Sequence, residues 1–110
     1  MKTIKYNKLI RDNIPEIMDK AGKKYTVSVL EDDAFCIKLK EKLLEEGKEV
    51  KEAGKEEIVS ELADVLEVVE AIESYYGIEH KTVLEKKESK AIRNGKFHKR
   101  LLLEEVIEND

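Results

Sequence analysis

The chain has 110 residues and a formal net charge of −4, and this length predicts a single domain over residues 1–110. With 42% charged and 5% aromatic residues, one copy cannot build a thick core, and the negative charge argues against a general nucleic-acid binder. No apolar run approaches a membrane span or a signal peptide, and the single Cys36, which excludes an intrachain disulfide, is typical of a cytoplasmic protein.

The first predicted elements are an N-terminal arm and a short helix. Residues 1–12 show no clear period and are expected to form an ordered arm. A helix is predicted near residues 13–21, because Pro15 suits its first turn and Gly22 its end. Residues 24–30 alternate in polarity and predict a short strand or an extended connector, and no sheet is expected without a second strand nearby.

Two long helices are predicted over residues 33–53 and 55–76, with Gly54 between them. Such a short connection makes them antiparallel neighbours. A fourth helix is expected over residues 79–94, before a tail that mixes basic and apolar residues. The second long helix is apolar over more than half its circumference. We therefore expect an all-α fold, an antiparallel helical hairpin that is completed into a helical bundle by dimerisation.

Two carboxylate pairs, Glu46 with Glu49 and Glu61 with Asp64, occupy the two long helices. Residues three apart share a helix face, and at ~1.5 Å per residue both pairs lie at similar heights from Gly54. Glu46 projects near the centre of an apolar stripe, where a carboxylate must be paired, protonated or metal-bound. Oxygen ligands without His or Cys select Mg²⁺, with Mn²⁺ as the alternative. The pattern predicts a metal site formed by these four side chains.

An ordinary charged surface is the alternative interpretation, because charge-rich helices carry such acidic pairs by chance. A Mg²⁺ site would imply chemistry on a polyphosphate, whose charge calls for nearby cationic side chains. No glycine-rich phosphate loop is present. The basic residues available for this purpose are Lys8, Arg11, Arg93, Lys96, Lys99 and Arg100.

Three segments of the chain resemble a known group of enzymes. One resemblance is to the ExxE…ExxD signature of the all-α NTP pyrophosphohydrolases. It is carried by residues 44–50, LEEGKEV, and by residues 61–65, ELADV. These pyrophosphohydrolases include the MazG-like and the phosphoribosyl-ATP pyrophosphohydrolase-like proteins. Residues 6–16, YNKLIRDNIPE, and residues 93–104 resemble the opening and closing segments of one branch of that superfamily.

The resemblance implies a Mg²⁺-dependent helical enzyme, dimeric or larger, that hydrolyses a nucleoside triphosphate to a monophosphate and pyrophosphate. By position, Glu46, Glu49, Glu61 and Asp64 would hold the metal. Glu45 and Glu46 are the catalytic candidates, and Glu45 would support the ligands or act as a base. The residues expected to contact phosphate are Lys8, Arg11, Arg93, Lys99 and Arg100.

Two other functions remain open at this point. One is a helical dimerisation or regulatory module without turnover, and the other is hydrolysis of phosphoribosyl-ATP. The segment between the two acidic pairs is short, which leaves little room for an elaborate nucleobase pocket. The expected small-molecule partner is therefore a nucleotide of unspecified base. The other expected partner is a second copy of the chain, and neither nucleic acid nor a membrane is expected.

Overall fold

The structure, a computed structural model, describes residues 2–109 and shows an all-α fold. Its helices are α1 (Ile14–Lys20), α2 (Asp32–Glu52), α3 (Ile58–Tyr76) and α4 (His80–Asn94). No strand occurs within residues 2–109, and residues 24–30 connect α1 to α2 without a helix or a strand. The predicted fold class is confirmed, and each predicted helix is present within a few residues of its expected bounds.

Local sequence explains how these helices begin and end. Pro15 occupies the first turn of α1, where the missing N–H costs nothing. Asp32 and Asp33 place negative charge at the start of α2, where the helix dipole favours it. Gly77 ends α3 with φ +66°, a left-handed conformation that glycine adopts without strain. The second long helix begins later than predicted, because residues 55–57 form a turn before it.

Helices α2 and α3 pack against each other as the predicted antiparallel hairpin. The start of α2 meets the end of α3: Cys36 Sγ lies 3.4 Å from the Tyr76 hydroxyl oxygen, and the rings of Phe35 and Tyr75 pack edge to face with centroids 5.9 Å apart. Edge-to-face pairs of this kind stabilise a helix interface beyond the area that they bury.

The core of this hairpin is thin. Within residues 2–109, the buried apolar side chains are Leu39 on α2 and Val68 on α3, and the carboxylates Glu46 and Glu73 are buried as well. Several apolar residues of α3 are exposed, among them Leu62 and Leu66. One neighbouring helix therefore covers only part of the apolar surface of α3.

The chain divides into two compact units, Met1–Gly77 and Ile78–Asp110. The first unit contains the arm, α1, α2 and α3. In the second unit, Val83 and Ala91 are the half-buried residues of α4, and residues 96–109 are exposed and contain no helix or strand. The prediction of one domain over residues 1–110 stays a prediction.

Among the described residues, no helix combines the length and the apolar character needed to cross a membrane.

Candidate metal and phosphate site

Three of the four predicted metal ligands come together between α2 and α3. Glu46 on α2 and Glu61 and Asp64 on α3 each offer a carboxylate oxygen, and these oxygens lie within 4.8 Å of one another. Glu61 and Asp64 are three residues apart and so share one face of α3. The antiparallel packing then places that face opposite Glu46. We call these three side chains the carboxylate cluster.

The members of the carboxylate cluster differ in exposure. Glu46 is only 9% exposed, in agreement with its predicted place in the apolar stripe of α2. Glu61 and Asp64 are half-buried. The fourth predicted ligand, Glu49, is exposed and does not belong to the cluster.

The surroundings of Glu61 disfavour the ionised form of its carboxyl. Burial raises the pKa of its carboxyl, and the nearby charges of Glu49, Asp64 and Glu46 raise it further. Within residues 2–109, Glu61 makes no ion pair that would compensate. The folded chain therefore holds a carboxylate that a bound cation would stabilise.

The cluster fits a small divalent cation. Mg²⁺ binds oxygen at about 2.0–2.1 Å, so two ligands on opposite sides of the ion are about 4.2 Å apart. Three ligands of one ion cannot all be opposite one another, so the oxygens of the carboxylate cluster, which lie within 4.8 Å of one another, would have to draw closer together to share one ion. A donor set of carboxylates alone also matches the preference of hard cations.

The N-terminal arm brings two predicted phosphate-binding residues to this site. Lys8 Nζ donates to Glu45 Oε1 on α2 at 2.8 Å, and Arg11 Nη2 donates to Asp64 Oδ1 on α3 at 2.7 Å. Arg11 also lies 3.7 Å from Glu67 Oε1. Between the two cations, Leu9 is half-buried against the protein. The arm is thus attached to both helices of the hairpin.

Glu45, a predicted catalytic residue, faces Lys8 and Lys42. The hydrogen bond from Lys8, together with Lys42 at 3.3 Å, lowers the pKa of the Glu45 carboxyl. A carboxylate with a lowered pKa is a weak proton acceptor. This geometry favours Glu45 as the residue that holds Lys8 in place over a role as general base.

Sequence reasoning missed two residues of the site. Lys42 is only 19% exposed and lies 3.6 Å from Glu46 Oε1, and Glu67 supports Arg11. The spacing of both was informative, because Lys42 precedes Glu46 by four residues and Glu67 follows Asp64 by three. In a chain so rich in charge, however, such pairs are common on exposed helix faces.

The remaining predicted phosphate ligands belong to the second compact unit. Arg93 lies in the last turn of α4. Lys99 and Arg100 follow it, and Arg100 has a left-handed backbone with φ +58°. Their predicted contact with phosphate stays a prediction.

The family model of phosphoribosyl-ATP pyrophosphohydrolase matches residues 4–91 of this chain. The matched range takes in the arm, the hairpin and most of α4, whereas the closing segment of residues 93–104 lies beyond it. Members of this family are pyrophosphohydrolases, enzymes that hydrolyse phosphoanhydride bonds. The match confirms the predicted resemblance and the expectation of an enzyme. No curated protein and no solved structure matches the chain significantly.

Removal of the Glu61 charge should stabilise the metal-free protein at neutral pH. The pKa of the Glu61 carboxyl is raised above its ordinary value in the folded state. Between the pKa of the unfolded chain and that of the folded chain, the folded protein therefore binds more protons, and its stability falls as the pH rises through this interval. In EDTA, Glu61→Gln should therefore melt at a higher temperature than the parent at about pH 7, and the difference should disappear near pH 4.

Thermal melts across this pH range measure the effect. Glu70→Gln, at an exposed position of the same helix, serves as the control and should show no such pH-dependent gain. A Glu61→Gln variant no more stable than its parent at neutral pH would contradict the electrostatic argument.

Proposed function

The chain belongs to the phosphoribosyl-ATP pyrophosphohydrolase family, and we propose on this basis that it hydrolyses a nucleotide with a divalent cation held by the carboxylate cluster. The substrate is a nucleoside triphosphate or a related nucleotide, and the products are a monophosphate and pyrophosphate. The observation that carries the proposal is the meeting of Glu46, Glu61 and Asp64 beside the two cations of the arm.

The proposed ion is Mg²⁺, with Mn²⁺ as the alternative, because all three donors are carboxylates. When bound, it would neutralise charge on the substrate phosphates. Glu49 stays a proposed fourth ligand, which its electrostatic influence on Glu61 supports.

The site must stabilise the negative charge that develops on the departing pyrophosphate. Water adds across the anhydride bond, and the bridging oxygen leaves with pyrophosphate. Arg11 and Lys8 are proposed to stabilise that charge, since a guanidinium offers several donors in a planar fork and an ammonium offers three. In this proposal Glu45 orients Lys8 and Glu67 orients Arg11, and Arg93, Lys99 and Arg100 are further candidate phosphate contacts.

Phosphoribosyl-ATP is a second candidate substrate, which the description of the matching family favours. Both substrates carry the same phosphoanhydride, so the carboxylate cluster and the arm would act on either one. The proposed location is the cytoplasm, supported by the free thiol of Cys36.

A homodimer is part of the same proposal. Val59, Leu62 and Leu66 recur at helical spacing along α3 and are 76%, 49% and 59% exposed. A second copy packed on this surface would remove these side chains from water.

Sedimentation at low micromolar concentration should show a dimer, and Leu66→Lys should weaken that dimer. A parent chain that sediments as a stable monomer would contradict the proposed homodimer.

The activity can be tested with a panel of canonical and damaged nucleoside triphosphates and phosphoribosyl-ATP, each with Mg²⁺ and detection of pyrophosphate. At least one member should release pyrophosphate, and Glu46→Gln should abolish that release. Failure of every member would instead indicate a helical dimerisation or regulatory module.

Glu46→Gln also separates metal binding from folding. Lys42 keeps Glu45 as a partner at 3.3 Å, so the variant does not strand a half-buried cation, a defect that would cost about 3–5 kcal/mol. In EDTA the variant should be at least as stable as the parent, whereas Mg²⁺ should raise the melting temperature of the parent alone. A variant clearly less stable than the parent in EDTA would argue against a metal ligand at this position.

Arg11→Ala should reduce turnover strongly while changing the melting temperature little. Its guanidinium side chain is 56% exposed, and exposed ion pairs contribute about 0–1 kcal/mol to stability. Loss of one donor to developing charge typically lowers the rate about 10²–10³-fold. Lys20→Ala, which removes an exposed ion pair with Glu16 on α1, is the matched control. A large loss of stability in Arg11→Ala would assign Arg11 a structural role instead.

A further inference from the structure

A small pocket lies between the arm and α2. It is partly open to solvent, has a volume of about 250 Å³, and is lined by Leu9 and by six residues with polar groups: Tyr6, Lys8, Lys38, Glu41, Lys42 and Glu45. Three lysines face two glutamates there, so the pocket carries a net positive charge. This contrasts with the chain as a whole, whose net charge is −4.

The pocket adjoins the carboxylate cluster through Lys42. Lys42 lines the pocket, and its ammonium lies 3.6 Å from Glu46 Oε1. A nucleotide whose phosphates meet a cation at Glu46 would therefore have its neighbouring phosphate groups within reach of the pocket.

The arm holds the lysines of the pocket in place. Asn7 adopts a left-handed backbone with φ +48°, a conformation that asparagine tolerates better than most residues. Its carbonyl oxygen accepts a hydrogen bond of 3.0 Å from Lys38 Nζ, which also lies 3.0 Å from Glu41. Lys8 Nζ lies 5.6 Å from the centroid of the Tyr6 ring. Both lysines are thus positioned by contacts that do not require a ligand.

Lys42 is available to an incoming anion. Its contacts with Glu45 and Glu46 are 3.3 and 3.6 Å long, whereas strong hydrogen bonds between an ammonium and a carboxylate are about 2.7–2.9 Å. A divalent cation on Glu46 would also compete with Lys42 for the charge of that carboxylate. Phosphate oxygens would then replace Glu46 as the partner of Lys42.

The chemistry of the walls favours phosphate over a nucleobase. Bases bind by stacking on aromatic rings and by paired hydrogen bonds, whereas the pocket has one ring, Tyr6, against three ammonium groups, one of which lies 5.6 Å from the centroid of that ring. The volume of about 250 Å³ lies below the range of about 300–1,000 Å³ that is usual for whole drug-sized ligands. The pocket therefore suits part of a nucleotide.

We infer that this pocket binds the pyrophosphate end of the substrate, the part that leaves after hydrolysis, and that Lys38 and Lys42 are binding residues for it. The inference rests on the proposed function, because it takes the anion from that reaction. It adds two residues of α2 to the cations that the arm supplies.

Calorimetric titration with inorganic pyrophosphate in the presence of Mg²⁺ tests the inference without requiring turnover. Lys38→Gln and Lys42→Gln should each bind pyrophosphate at least about tenfold more weakly than the parent, as expected when a hydrogen bond to a charged group is lost. Lys48→Gln makes the same charge change on α2 outside the pocket and should bind as the parent does. Binding of a nucleoside monophosphate should change little in all three variants.

The outcomes distinguish this inference from the proposed function. Failure of the parent to bind pyrophosphate, or equal binding by the parent and both pocket variants, would overturn the inference even if the parent hydrolyses nucleotides. Selective loss of monophosphate binding in the pocket variants would overturn it too, in favour of a nucleoside pocket. Lysine-dependent pyrophosphate binding in a chain that hydrolyses no nucleotide would uphold the anion site while the proposed reaction fails.

Discussion

Repulsion among neighbouring carboxylates is the constraint on which the rest of this structure depends. Glu46, Glu61 and Asp64 hold oxygens within 4.8 Å of one another. Two like charges about 4 Å apart repel by about 1 kcal/mol in water and by about 4 kcal/mol near a protein surface. The packing of α2 on α3 imposes this proximity, and burial together with the neighbouring negative charges raises the pKa of the Glu61 carboxyl. An arrangement of this kind is typical of a functional site that a ligand completes.

The arm compensates for part of this repulsion from outside the hairpin. Lys8 binds Glu45 on α2, and Arg11 binds Asp64 on α3. Because both pairs are substantially exposed, they add little to stability. In the proposed function their contribution is positional, because a phosphate bound at the carboxylate cluster would also meet the donors of these two cations. The proposal therefore assigns the arm to the chemistry of the site, and the exposure of its ion pairs gives it only a small part in the stability of the fold.

The core is thin partly because a buried charge occupies part of it. Glu46 occupies a place in the stripe of α2 where an apolar residue would add to the core, and within residues 2–109 only Leu39 and Val68 are buried apolar side chains. Replacing such a polar residue by an apolar one commonly stabilises a protein at the expense of its function. A second copy packed against α3 would restore apolar burial without disturbing the carboxylates.

The sequence by itself determined the helices and their hairpin, because these follow from periodicity and from a short connection. It predicted a site of four carboxylates from residues that share a helix face, of which the structure brings Glu46, Glu61 and Asp64 together and leaves Glu49 outside. Only the tertiary structure decided the partners of these groups. Lys42 and Glu67 looked like ordinary surface charge, and Glu45 looked as suitable for a base as for a support. Ion pairs between Lys8 and Glu45, or Arg11 and Asp64, join residues 37 and 53 positions apart. No local pattern encodes such contacts, because they depend on where the arm folds back against the hairpin.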